Sequence, residues 1–340
     1  VKNTERSPSV FFVSGATGFL GGRTVEMLLE KGHRVIALGR NPTAGAKLTA
    51  LGAEFIHADL SESDVLKKSI PRGAYVIHCA ALSSPWGARK NFYDANVIGT
   101  RNMAEAALHQ KALRFVHIST PSIYVERKSK ESVSEAEPLP AHSINLYAET
   151  KLQAENEIDL AVACGLPAIT LRPQGIFGPN DQAILPRLIR VARKGFIPVI
   201  GSESVQIDLT YVDNVVQAIF AAAAANDSAI GKKYNITNGE PVDQLSTLKT
   251  LLRALGFQVG EKHISLSTAW ALAAALETTY RVLSLSGEPL LTRYSVCTLA
   301  FTRTLNIDAA RRDLGYQPQI NVQEGLKRTI AAYQQGQTPS

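Results

Sequence analysis

Cysteine is scarce. Only Cys79, Cys164 and Cys297 occur among 340 residues, with no CxxC or Cys/His spacing between them. An odd, unspaced set argues against a disulfide framework and against a zinc site, so no metal is expected and a reducing cytoplasm fits best. Long apolar runs are also missing. The nearest, 270–285, is interrupted by Glu277, Thr278, Thr279 and Arg281, well short of the roughly 20 apolar residues a membrane span needs. It reads as an amphipathic helix that packs on the protein or lines a pocket. Residues 1–9 are polar and charged and lack the apolar core of a secretory leader. Charge of one sign is not concentrated either. The formal charge is +6, and the one dense basic run, Arg127, Lys128 and Lys130, is flanked by Glu126 and Glu131. That run reads as a solvated loop, and nucleic acid is not expected as a partner.

What remains is an ordinary globular composition, 45% apolar and 19% charged. The length favours one large domain with a smaller lobe packed on it. Short β-branched runs at 10–14, 34–38, 54–57, 75–79, 114–118 and 168–171 alternate with helical spacing at 24–31, 61–69, 91–110 and 145–163. Alternation of this kind predicts βαβ units and a doubly wound parallel sheet of the Rossmann type. After Pro173 it loosens: 183–194 and 212–225 read as helices and 205–211 as a strand. The expected division is a dinucleotide-binding domain over 8–173, with segments around 205–240 returning to it, and a mostly substrate-binding lobe over 174–335. The alanines at 221–225 read as the tight packing face of a helix.

Gly15, Gly18 and Gly21 follow the first strand directly and open the first helix with GxxGxxG spacing. Gly15 permits the tight turn, Gly18 lets backbone approach a pyrophosphate, and Gly21 permits close packing of helix on strand. The pyrophosphate would sit on the positive helix N-terminus, beside Thr17, Phe19 and Leu20. At the end of the second strand an NAD-selective site usually has a carboxylate for the ribose 2′-hydroxyl. Gly39 and Arg40 stand there instead. A guanidinium binds a 2′-phosphate bidentately, so the expected cofactor is NADP(H) rather than NAD(H). Arg23 is either a second basic contact or an exposed helix residue. Asp59, with Leu60 beside it, stands where an adenine amino group can be hydrogen-bonded, or where a carboxylate caps the next helix.

Tyr147 and Lys151 are four apart in a helical stretch and project from one face. A phenol is a poor base at neutral pH, and a neighbouring ammonium stabilises its phenolate. The stretch Ser119 to Tyr124 lies just beyond the fifth strand, at the carboxyl edge where open α/β sheets bind ligands. A hydroxyl there can hold a substrate oxygen while Tyr147 exchanges its proton.

Taken together, the glycine loop, Cys79-Ala80-Ala81, Asn96 to Thr100, Ser119 to Tyr124, Tyr147 with Lys151, and Leu171-Arg172-Pro173 resemble the successive signatures of extended short-chain dehydrogenases/reductases. The resemblance implies that Thr120 is the catalytic hydroxyl, with Ser119 as second choice, Tyr147 the general acid/base and Lys151 its electrostatic partner. It also implies that Ala80, Ala81 and Pro173 line the cofactor, that Asn96 buttresses the site, and that the chain forms a homodimer through its 91–110 and 145–163 helices. Cys79 departs from the asparagine often found before the alanine pair.

Sugar-nucleotide epimerases and dehydratases share this triad but commonly carry an RxxNxYGP stretch. Here Gly175 stands at the asparagine position. The stretches Ile176 to Pro179, Leu185 to Leu188, Asp208 to Asn214 and 308–318 are instead similar to the 3-beta-hydroxysteroid dehydrogenase group, bacterial 2-alkyl-3-oxoalkanoate reductases included. That implies a small apolar substrate, a long-chain β-keto or steroid-like ketone or alcohol. Ser83, Trp86 and Gln174 are the expected substrate contacts, Trp86 either walling an apolar pocket or packing under a loop, and the 270–285 helix is expected to close the far side. The alternatives are a sugar-nucleotide epimerase or dehydratase and a non-catalytic NADP(H)-binding sensor.

Overall fold

The computed structural model describes residues 9–182, 184–201 and 204–336. The polar stretch 1–8 lies outside them, as does Ala183, the first residue of the helix expected at 183–194. That helix is observed at Ile184–Ala192.

Seven parallel strands form the central sheet: β1 (Val10–Ser14), β2 (Arg34–Gly39), β3 (Glu54–His57), β4 (Tyr75–His78), β5 (Arg114–Ile118), β6 (Ala168–Pro173) and β7 (Lys233–Ile236). Their spatial order is β7-β6-β5-β4-β1-β2-β3. The six strands read from the sequence are all present, and β7 adds a seventh by pairing Lys233 with Thr170 at the β6 edge. Because the inner strands are covered on both faces, nearly every residue in them is buried, whereas the edge strand β3 buries none. On one face Val13, Val35, Ile77 and Val116 pack with Val25 and Leu28 of α1 (Phe19–Glu30) and with Val215 and Ile219 of the helix Val212–Ala223. Ala222 and Ala223 lie in the same cluster, as expected for a packing face. On the other face Phe12, Ile36, Val76 and Phe115 pack with Leu66, Met103, Ala107 and Ile158, which belong to three further helices. Phe12 and Val13 point to opposite layers because side chains alternate along a strand.

The order of connection reverses between β1 and β4, which opens a crevice at the carboxyl ends of these two strands. The long helix expected at 91–110 is interrupted there: Arg89–Phe92 is α-helical, Tyr93–Ile98 is a π-helical turn, and Gly99–His109 is α-helical again. A helix at Pro42–Ala50 was not expected. Asn41 caps it, accepting from the Ala44 amide at 3.1 Å, with Pro42 in the first turn.

The strand expected at 205–211 divides in two. Gln206–Ile207 joins a four-stranded sheet with Arg303–Leu305, Lys130–Val133 and Val242–Asp243, whereas Thr210–Tyr211 pairs with Ile176–Phe177. The chain changes sheets at Asp208, whose buried carboxylate accepts the Leu305 amide at 2.7 Å. The apolar stretch near 270 is the helix Leu266–Val282. It buries Ala269, Ala273 and Glu277 on one side, and Glu277 holds the Arg293 guanidinium at 2.8 Å. Among the described residues no helix is long and apolar enough to cross a membrane.

Candidate active site

The carboxyl edge of the sheet opens into a cavity of about 720 Å³ that runs from the glycine loop to the C-terminal segments. Gly15 has a left-handed φ of +70°, and a Cβ there would lie 2.6 Å from the Ala80 nitrogen. A Cβ on Gly21 would lie 2.2 Å from the Gly15 oxygen, so α1 approaches the β1 turn closely only because both residues are glycine. Gly18 is the N-cap of α1 and supplies no side-chain cap. The first-turn amides of that helix are therefore open to an anion. Gly15, Gly18, Phe19 and Leu20 line the cavity, and this backbone cradle fits a dinucleotide pyrophosphate.

At the end of β2 a Cβ on Gly39 would lie 2.6 Å from the Thr17 side chain. Thr17 thus occupies the space that a carboxylate at this position would need. Arg40 is 75% exposed and reaches Asp59 at 3.4 Å. The Asp59 carboxylate also accepts from the Ser61 amide at 3.0 Å and the Ser61 hydroxyl at 2.9 Å, which hold it below the usual carboxylate range. The Leu60 carbonyl accepts from Asn102 at 2.8 Å. Arg23, weighed as a second phosphate contact, is committed elsewhere: it pairs with Asp213 at 2.7 Å and Glu26 at 3.0 Å.

Tyr147 and Lys151 sit in the first turns of the helix Leu146–Ala163, capped by Asn145 through the Ala148 amide at 2.8 Å. Tyr147 lines the cavity, and Thr120 and Ser83 line it with Tyr147. Burial pushes the phenol above its ordinary range, while the Ser83 and Thr120 hydroxyls pull it back. The sequence led us to expect a lowered value from Lys151. The lysine is fully buried instead, donates to the Ile118 carbonyl at 2.7 Å, and lies 3.3 Å from His117 Nε2. Desolvation brings its ammonium down to about 8. Beneath it His78 is fixed by Ser14 at 2.7 Å and Thr100 at 3.0 Å and stacks on His117. Burial keeps both imidazoles neutral, His78 down at about 3 and His117 well below its usual value.

The two candidate hydroxyls separate. Ser119 donates to the buried Glu155 carboxylate at 2.5 Å, which also holds Arg172. Thr120 caps the short 3-10 turn Pro121–Tyr124, accepts the Ser122 amide at 3.1 Å, and continues through Ser122 Oγ at 3.1 Å to the Tyr294 hydroxyl at 3.0 Å. Asn96, in the π-helical turn, accepts the Leu82 amide at 2.7 Å and donates to Thr150 at 3.0 Å. It therefore ties the loop after β4 to the helix that carries Tyr147.

Ala81, Pro173 and Gln174 line the cavity, whereas Trp86 does not. Its ring meets Tyr280 edge-on and lies under the Arg281 guanidinium, both from the end of the Leu266–Val282 helix. That helix contributes nothing to the lining either. Its place is taken by Tyr294, Thr298 and Leu299 of the next helix, Arg293–Ala300, and by Arg303. Tyr294 and Arg303 were not singled out from the sequence, since nothing in the local pattern marks residues that a distant segment brings to a wall. Among the described residues no cluster of three or more His, Cys, Asp or Glu gathers in a way that could hold a metal.

A glycine cradle at a sheet switch point, with Tyr147 and a hydroxyl at one cavity and a buried Lys151 one helical turn from the tyrosine, defines an NAD(P)-dependent oxidoreductase of the extended short-chain dehydrogenase/reductase class. A profile described as the NAD dependent epimerase/dehydratase family matches residues 11–237, and the chain belongs to that family. It is 35% identical over 329 residues to a 2-alkyl-3-oxoalkanoate reductase of Stenotrophomonas maltophilia, covering 94% of this chain and 98% of that one. It is 32% identical over 326 residues to a 4-hydroxy-2-methyl-3-oxo-4-farnesyl-3,4-dihydroquinoline-1-oxide ketoreductase of Stigmatella aurantiaca, covering 96% and 97%. Among solved structures, MoeE5 in complex with UDP-glucose and NAD superposes with a TM-score of 0.75 at 24% identity, covering 96% of this chain and 99% of that chain, a likeness of fold.

Proposed function

We propose that the chain interconverts a ketone and a secondary alcohol on an apolar substrate with NADP(H), using Thr120, Tyr147 and Lys151. The observation that carries this reading is the convergence of Thr120 and Tyr147 on a cavity whose far wall is built from Ile184, Leu185, Leu188, Leu248 and Leu251. Thr120 Oγ1 orients the substrate oxygen, and Tyr147 donates or removes the proton on that oxygen. Lys151 holds positive charge behind the phenol and is itself held by the Ile118 carbonyl. The nicotinamide, when bound, supplies or accepts the hydride. Arg40 takes the 2′-phosphate and Gly15 to Leu20 the pyrophosphate. The 2-alkyl-3-oxoalkanoate reductase supports a long-chain β-keto acid as substrate, and the steroid-like class remains the neutral counterpart.

The second reading, a sugar-nucleotide epimerase or dehydratase, draws on the fold shared with MoeE5. Gly175 speaks against it: it stands at the position of the nucleotide-binding asparagine, and a Cβ there would meet Leu209 at 3.1 Å. A homodimer acting in the cytoplasm belongs to the first reading, and light scattering checks the dimer. The deciding experiment is NADPH consumption with long-chain β-keto acids and steroid ketones, beside product analysis of UDP-glucose incubated with the chain and NAD+, because epimerisation and dehydration return their hydride and consume no cofactor. Turnover of the apolar ketones alone supports the proposal; conversion of the nucleotide sugar alone overturns it.

A further inference from the structure

Four charged residues line the cavity: Asp181, Arg187, Asp208 and Arg303. Three of them have partners. Asp181 accepts the Ile184 and Leu185 amides at 3.1 and 2.9 Å, Asp208 accepts the Leu305 amide at 2.7 Å, and Arg187 reaches Glu288 at 3.5 Å. Arg303 is different. It is 7% exposed, and among the described residues no side chain or carbonyl pairs with its guanidinium. The groups that favour its charge are Tyr294 and Cys297, neither of them a carboxylate, and burial pushes its proton affinity below the ordinary arginine range.

A buried charge without a partner destabilises a folded chain, and arginine cannot escape by losing its proton at neutral pH. A guanidinium fork kept under these conditions in the wall of a cavity is suited to a planar anion entering from that cavity. Its surroundings connect it to the reacting end. Tyr294, its electrostatic neighbour, holds Ser122 at 3.0 Å, and Ser122 holds Thr120 at 3.1 Å.

We propose that Arg303 receives a carboxylate of the substrate on the wall of the cavity that carries Thr120, so that the chain selects acidic ketones and alcohols over their neutral counterparts. The anion site stands on the geometry of Arg303, and only its relation to a reacting carbonyl rests on the ketone–alcohol reading above. It decides between the acidic and neutral substrate classes named there.

The test is calorimetric binding of decanoate and methyl decanoate to the NADPH-loaded chain, with Arg303→Met and Arg303→Lys as variants. The native chain should prefer decanoate by roughly 10- to 100-fold, the range of a charge-assisted hydrogen-bonded pair. Arg303→Met should bring the ratio close to one, and Arg303→Lys should keep part of it. The ligand-free Arg303→Met protein should melt no lower than the native chain, because the substitution removes an unpartnered buried charge. Equal or absent binding of the two probes by the native chain overturns the proposal. So does equal loss of both probes in Arg303→Met with a lower melting temperature, which would make Arg303 a packing residue. A decanoate preference without turnover of any ketone leaves the anion site standing and removes the reaction; turnover without the preference does the reverse.

Discussion

Ser119 and Thr120 are chain neighbours with opposite commitments: the Ser119 hydroxyl donates to the Glu155 carboxylate at 2.5 Å, and the Thr120 hydroxyl stands with Tyr147 at the cavity. Thr120→Ala should therefore lower kcat about tenfold or more, the worth of a hydrogen bond made to the reacting oxygen. Ser119→Ala should act chiefly on stability, by about 1–3 kcal/mol for a buried acceptor left short of a donor. Steady-state kinetics and thermal melts on the two variants separate the roles, and a larger kinetic loss in Ser119→Ala would reverse them.

The raised phenol of Tyr147 gives the reaction a direction in pH. At neutral pH the group is protonated, which suits donation to a ketone and opposes removal of a proton from an alcohol. Oxidation should rise about tenfold per pH unit through the neutral range, with reduction nearly flat. Tyr147→Phe should lose about 10²- to 10⁴-fold in kcat in both directions while still binding cofactor. A flat oxidation profile in the native chain would remove the phenol as the titrating group.

Lys151 titrates at about 8 in the folded chain against 10.5 as its ordinary value. Between these two values the unfolded chain binds a proton that the folded chain has released. This group therefore penalises the fold fully below about 8 and progressively less as pH rises to 10.5. Denaturant unfolding of the native chain and of Lys151→Met should diverge across that window, with the native chain gaining relative stability as pH rises. Parallel curves would mean that the ammonium is solvated.

In the proposed NADP(H) reading Arg40 meets the ribose phosphate, because Thr17 fills the space beside Gly39. Arg40→Ala should cost roughly 10- to 100-fold in NADPH affinity with little change for NADH, measured by cofactor fluorescence. Gly39→Asp alone should bind both cofactors poorly, since its Cβ falls 2.6 Å from the Thr17 side chain.

The sheet, the glycine turn and the meeting of Thr120 with Tyr147 at one cavity were legible because they are written in short windows. The strands are runs of a few apolar residues, the glycines sit at fixed spacing on the first strand-to-helix turn, and Tyr147 and Lys151 share a helix turn. The helix Pro42–Ala50 was missed although Asn41 and Pro42 mark its start, because Gly45 weakens the pattern. That glycine is required by Phe55, whose ring would lie 2.2 Å from a Cβ. The division of 205–211 depends on where the Asp208 carboxylate finds a donor, a residue almost 100 positions away. Arg303, Tyr294 and the placement of Trp86 depend likewise on contacts between distant segments. The raised phenol of Tyr147 was not legible, because spacing reports proximity and says nothing of burial, the largest cause of the shift.

The π-helical turn Tyr93–Ile98 carries a further consequence. Successive helical residues are about 100° apart around the axis, so Asn96 meets Leu82 and Thr150 only while that turn keeps its extra residue. A deletion of one residue between positions 89 and 96 that let the turn close to α-helical would swing the amide off both partners without changing any named side chain of the site. The number of residues in this segment is thus under as tight a constraint as their identity, and homologues of this chain should vary there by substitution rather than by insertion or loss.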